Sequence, residues 1–89
     1  MLVRYFAAAR AAAGTDSESL PLTGEGGLPR REVERLLAER HRQPPPGQPP
    51  LAEVLARSSF LLDGVACTDP DARVREGAVL DVLPPFSGG

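Results

Sequence analysis

The sequence predicts an α+β domain in which one main helix packs across a face of a mixed sheet. Three observations carry that expectation. Strand-like stretches rich in β-branched and aromatic residues stand near both ends, at Leu2–Ala7 and Ala78–Leu83. One segment from Pro29 onward repeats its apolar residues at helical spacing. Between them, two short apolar runs flank an Asp-Gly pair, a strong local hairpin signal.

Leu2-Val-Arg-Tyr-Phe-Ala7 reads as the first strand. Alternation puts Leu2, Arg4 and Phe6 on one face and Val3, Tyr5 and Ala7 on the other, and one of these faces must pack on a core. The alanine-rich Ala8–Ala13 favours a helical turn, with Gly14 placed to stop it. Ser17 to Leu22 reads as a second short strand paired with the first, and Thr23–Gly27 as a loop. Pro29 suits the first turn of the main helix. Val33, Leu36, Leu37 and Arg40 follow its stripe, while Glu34, Arg35, Glu39 and Arg42 lie off it.

Gln43–Pro50 holds five of the ten prolines, so it is expected to be a surface loop. Leu51, Val54 and Leu55 give a second short helical patch. Ser59–Leu62 and Val65–Thr68 flank the Asp63-Gly64 turn, and Thr68–Asp71 and Glu76-Gly77 are further turns. Ala78–Leu83 is the last strand, in which Leu80 and Val82 point inward and Val79, Asp81 and Leu83 outward. Pro84-Pro85 ends it, since two prolines supply no ladder donors. Residues 1–85 form one domain, and Phe86-Ser-Gly-Gly89 is expected to be a flexible tail.

Composition narrows the function. Eighty-nine residues with 42% hydrophobic content build one modest core, and a net charge of −2 gives no nucleic-acid footprint and no polybasic membrane patch. All ten basic residues are arginine, so no lysine side chain is present to accept an isopeptide or to form a Schiff base. Single residues, Cys67 and His41, exclude an internal disulfide, a cysteine metal cluster and a multi-histidine zinc site. No signal peptide or membrane span is apparent, so a cytoplasmic protein is expected.

The Gly88-Gly89 ending by itself leaves two readings open, a frayed terminus and a tail that carries the chemistry. Without a Cβ on Gly88 or Gly89 it can enter a narrow channel and present a carboxylate, while Pro84-Pro85 holds it away from the domain. The rest of the chain supports this reading. Tyr5-Phe-Ala-Ala-Ala-Arg10 closing at Gly14, Leu62-Asp-Gly-Val65, then Asp69-Pro70 and Glu76-Gly77 before an apolar strand form one pattern. Val79-Leu-Asp-Val-Leu-Pro-Pro-Phe-Ser-Gly-Gly89 completes it. This pattern resembles the small, sulfur-carrier subunit of molybdopterin synthase, in the MoaD/ThiS ubiquitin-like family. The resemblance covers both ends and most of the middle, and only the proline-rich stretch near residues 43–50 departs from it.

The resemblance implies a β-grasp fold and a co-substrate rather than a catalyst. An ATP-using adenylyltransferase of the ubiquitin-activating type would adenylate Gly89, and a sulfurtransferase would convert it to a thiocarboxylate. The large subunit of the synthase would then take the sulfur to build molybdopterin. No cofactor is expected to be bound by the chain itself. The resemblance further implies that Phe6, Leu83, Pro84, Pro85, Phe86, Ser87 and Gly88 meet the partner, although the family often has an aromatic residue where Leu83 stands. Two alternatives remain open: a ubiquitin-like modifier or adaptor joined through an isopeptide, and a carrier for thiamine, cysteine or another thiolation pathway.

Other residues read as structural. Cys67 sits in an apolar run with no neighbouring Lys or His to activate it, so a buried small hydrophobe is expected. His41 at the end of the main helix suits a capping or solvated role. The spacing of Asp63, Asp69, Asp71 and Glu76 does not fit a calcium loop. Gly24, Gly26 and Gly27 lack the lysine of a phosphate cradle.

Overall fold

The computed structural model describes residues 1–85. The chain runs β1 (Leu2–Tyr5), α1 (Ala7–Ala13), β2 (Ser17–Ser19), β3 (Leu28–Pro29), α2 (Arg30–Arg40), α3 (Leu51–Leu55), β4 (Ser59–Leu62), β5 (Val65–Ala66), β6 (Arg73–Val74) and β7 (Val79–Leu83). Five strands form one sheet in the order β2-β1-β7-β4-β5. The first and last strands pair in parallel at its centre, Tyr5 opposite Val82, and every other pairing in that sheet is antiparallel. A mixed sheet grasping a helix is the β-grasp arrangement expected from the resemblance.

Alternation sets what faces the helices. Val3 and Tyr5 of β1, Leu80 and Val82 of β7 and Phe60 of β4 all point inward and are buried. They meet Ala9 and Ala12 of α1, Val33 and Leu37 of α2, and Leu51, Val54 and Leu55 of α3 in one apolar cluster. Each Val or Leu so buried contributes about 1.5–3 kcal/mol. On the main helix the buried stripe is narrower than its apolar spacing suggests: Leu36 is half-buried, and Arg40 is exposed and reaches β2.

Several boundaries differ from the sequence reading, each for a local reason. The first strand stops at Tyr5 because Phe6 becomes the N-cap of α1, and Ala7 turns the chain at φ 48°. β2 ends at Ser19, after which Leu20 and Leu22 are buried in the core, and Pro21 between them has no N–H for a ladder. Pro29 is not in the first turn of α2 but is its extended N-cap. The first helical N–H groups, of Arg30 and Arg31, donate to the carbonyls of Ala72 and Pro70, so a distant turn satisfies them. β5 ends at Ala66, although the Cys67 N–H still donates to the Phe60 carbonyl.

The small sheet of β3 and β6, Leu28 opposite Val74, was not expected from the sequence. Its reason is a close approach. A Cβ on Gly27, at φ 70°, would lie 2.1 Å from the Val74 carbonyl oxygen, so only glycine lets these segments meet. The Asp63-Gly64 turn forms as expected, with both residues at positive φ (50° and 82°), the geometry of a type I′ hairpin.

The proline-rich stretch is a loop, as expected, with a turn closed by the Gln48 N–H on the Pro45 carbonyl. Pro45 packs beside the left-handed Gly14 that ends α1. The insertion is therefore seated on the domain rather than projecting from it.

Candidate functional site: the outer sheet face beside the proline stalk

The side of the sheet away from the helices carries Leu2, Arg4 and Phe6 from the first segment, Val79, Asp81 and Leu83 from β7, and Ser59 and Leu61 from β4. Phe6 extends the alternation of β1, and its N–H donates to the Val82 carbonyl (3.2 Å), which brings it beside Leu83. The residue is 42% exposed, so it belongs to the surface and not to the core. Leu83 pairs with Ser59 and is half-buried, and the strand ends there before Pro84 and Pro85. Of the outward apolar residues, Phe6 and Leu83 thus stand where the chain leaves the sheet, while Leu2 and Val79 pair at the opposite end.

Asp81 departs from the expected pattern. It lies on the outward face, yet it is only 4% exposed. Its two carboxylate oxygens accept bonds from Arg4 Nε (2.6 Å) and a terminal guanidinium nitrogen of Arg4 (2.8 Å). Such a two-pronged pair satisfies the buried charge with matched planar geometry. The face is therefore an apolar surface around one closed ion pair.

A second polar cluster ties β2 to the end of α2. Glu18 accepts bonds from the Tyr5 hydroxyl (2.8 Å), Arg40 (2.7 Å) and the His41 ring (2.5 Å). Burial alone would raise the Glu18 pKa, but these three partners outweigh it and hold the carboxyl below its usual range. Burial, and then the bond to Glu18, pushes the Tyr5 phenol upward. His41 ends α2 as expected, yet its ring is bonded to Glu18 and stands edge-on to Tyr5, which the sequence reading did not foresee.

Cys67 is buried, as expected, with its Sγ 3.8 Å from the Asp69 carbonyl oxygen. Its own carbonyl accepts a bond from Arg30, whose guanidinium also stacks 4.4 Å from the Phe60 ring centre. Among the described residues no group of three His, Cys, Asp or Glu side chains is placed to hold a metal ion. No helix among them is long and apolar enough to cross a membrane. Phe86, Ser87, Gly88 and Gly89 lie outside the described residues.

The sequence matches no protein-family model, and no curated protein at a significant level. Solved structures do match. The putative molybdopterin converting factor subunit 1 from Pyrococcus furiosus is 25% identical, covers 94% of each chain and superimposes with a TM-score of 0.73. SAMP1 from Haloferax volcanii, at 20% identity, covers 100% of this chain and 98% of its own with a TM-score of 0.75. A chain of the protein–protein complex of subunits 1 and 2 of the molybdopterin-converting factor from Helicobacter pylori is 18% identical, with 99% of this chain and 96% of that one covered and a TM-score of 0.61. The chain is thus a ubiquitin-like β-grasp protein whose structural relatives are molybdopterin converting factor subunit 1 and a small archaeal modifier protein, in agreement with its resemblance to the MoaD/ThiS family.

Proposed function

We propose that this protein is a sulfur carrier for molybdopterin biosynthesis, acting through the carboxylate of Gly89. The observation that carries the reading is the similarity to a converting-factor subunit 1 over 94% of both chains, joined to a sequence that runs from the outer sheet face through Pro84-Pro85 to Gly-Gly. A carboxylate is a poor electrophile. An ATP-dependent adenylyltransferase in the cytoplasm makes it a mixed anhydride with AMP, and a sulfurtransferase replaces AMP with sulfur. The resulting thiocarboxylate is a soft nucleophile that a large subunit uses on its pterin substrate.

In this reading the large subunit docks on the apolar outer face around Phe6 and Leu83, with Pro84 and Pro85 directing the tail into its active site. Support comes from the exposure of Phe6 beside the exit of β7, and from the Helicobacter pylori structure, a complex between subunits 1 and 2. Phe86, Ser87 and Gly88 then line the route into the partner.

Intact-mass measurement of protein isolated from its own cells tests the proposal. The expected species is heavier by the difference between sulfur and oxygen, with the change confined to the C-terminal peptide. Added to a large subunit and a cyclic pterin precursor, it should yield molybdopterin without further sulfur. Deleting Gly89 should abolish ATP–pyrophosphate exchange with the activating enzyme, and retained exchange would sink the assignment. The similarity to SAMP1 favours a second reading, a modifier joined to lysines of other proteins. A Gly89 found only in isopeptide bonds would establish that reading instead.

A further inference from the structure

A chain that carries an activated acyl group at one end is exposed to its own amines. The neutral nitrogen of a lysine or of an N-terminus attacks the acyl carbon, a C–N bond forms, and AMP or a thiol leaves as the amine gives up a proton. Two independent features of this protein remove that reaction. All ten basic side chains are arginine, whose guanidinium stays protonated and is no acyl acceptor at neutral pH. The amine at Met1 is engaged in the fold: its ammonium donates to the Leu20 carbonyl (3.0 Å) and to Glu76 Oε1 (3.0 Å). The Met1 residue is 5% exposed.

Glu76 is itself anchored. Its second oxygen accepts the Leu22 N–H (2.8 Å), and that bond, followed by the Met1 ammonium, holds its carboxyl below the usual range. One carboxylate on the turn before β7 thus joins the start of β1 to the segment after β2. Two of the three ammonium hydrogens are thus engaged on a buried residue, which leaves the nitrogen a poor nucleophile in the folded state.

We propose that the folded domain presents no free primary amine, and that this keeps its own activated terminus from being lost to self-acylation. The inference rests on the reading of Gly89 as an activated acyl terminus. Glu76 acts as a positioning residue that sequesters the Met1 nitrogen. The same design makes any ligated copy a terminal cap, because it offers no site for a second copy.

Two measurements test this. First, the native protein is treated with an acetylating N-hydroxysuccinimide ester, and modification of Met1 is followed by peptide mass. Native Met1 should react about tenfold or more slowly than in denatured chain, the protection expected of a group reached only through local opening. Glu76→Gln should restore most of that reactivity, with circular dichroism confirming that the variant is folded. Native Met1 reacting as fast as the denatured chain would overturn the proposal.

Second, a Gly89 aryl thioester made by intein cleavage is incubated alone at mildly alkaline pH. The wild-type protein should only hydrolyse, whereas Arg42→Lys should form amide-linked oligomers mapped to Lys at that position. Added Nα-acetyl-lysine should capture the wild-type thioester, which shows that the electrophile is competent. A wild-type product joining Gly89 to the Met1 nitrogen would overturn the inference. Because the thioester is installed chemically, this result is independent of whether cells sulfurate Gly89, so failure of the carrier reading is seen separately, in the cellular mass measurement.

Discussion

Arg4 and Asp81 sit opposite one another in the parallel register of β1 and β7 and close a two-pronged ion pair at 2.6 and 2.8 Å. The two partners are not equivalent. Asp81 is 4% exposed, whereas the Arg4 side chain is about half exposed. Removing the arginine leaves a carboxylate out of water without its partner, while removing the carboxylate's charge leaves a guanidinium that water can still reach. Arg4→Met should therefore lower the melting temperature more than Asp81→Asn. The double variant should be more stable than the sum of the two losses predicts, as thermal melts in a double-mutant cycle would show.

Acid should weaken the fold through Glu18. Its folded pKa lies below the ordinary value of 4.5, because the bonds from Tyr5, His41 and Arg40 outweigh the effect of burial. The folded state thus binds its proton less readily than the unfolded chain. That stabilisation is fully present above about pH 4.5 and is lost as pH falls through the folded value. Urea midpoints measured from pH 6 to pH 3 should fall. In Glu18→Gln the fall should be shallower, from a lower starting point. An unchanged acid limb would show that Glu18 is not the group responsible.

How much of this was legible in the sequence depended on how far apart the interacting residues lie. The Asp63-Gly64 hairpin, the stop at Gly14 and the burial of Leu80 and Val82 follow from neighbours or from alternation, and all three appear in the structure. Asp81 was readable as outward but not as buried, because its partner stands 77 residues away on a strand whose register no local pattern reveals. The Glu18 cluster was hidden for the same reason, since it joins three elements and its members look like ordinary surface polar residues. The two-residue strands β3 and β6 are too short for any alternation to be read. The role of Gly27 appears only once Val74 is beside it.

That close approach gives a sharp stability prediction. Gly27→Ala would place a Cβ 2.1 Å from the Val74 carbonyl oxygen and 2.8 Å from its carbon, both backbone atoms that no rotamer change can move aside. It would also hold alanine at φ 70°. Strain at a special backbone position costs about 1–3 kcal/mol, and separating β3 from β6 adds to it. Gly26→Ala is the control: it shares a positive φ of 83° but meets no atom within 4 Å. Chemical denaturation should show a clearly larger loss for Gly27→Ala. Equal losses would mean that backbone conformation, and not the contact with Val74, decides the effect.

Docking can be separated from folding at Leu83. The residue is half-buried on the outward side of β7, beside exposed Phe6 and before Pro84, and it is absent from the core cluster. A guanidinium placed there can reach water with its head while its stem covers the sheet, so Leu83→Arg should fold with only a small change in melting temperature. On the proposed partner surface it does the opposite. It puts a charge into the apolar contact with the large subunit, where desolvation is unfavourable. Gel filtration of the mixed subunits should show loss of the complex, while ATP–pyrophosphate exchange at Gly89 serves as a second readout of whether the activating enzyme uses the same face. A folded Leu83→Arg protein that still co-elutes with the large subunit would move the docking surface away from this end of the sheet. An unfolded one would show that Leu83 supports the core after all.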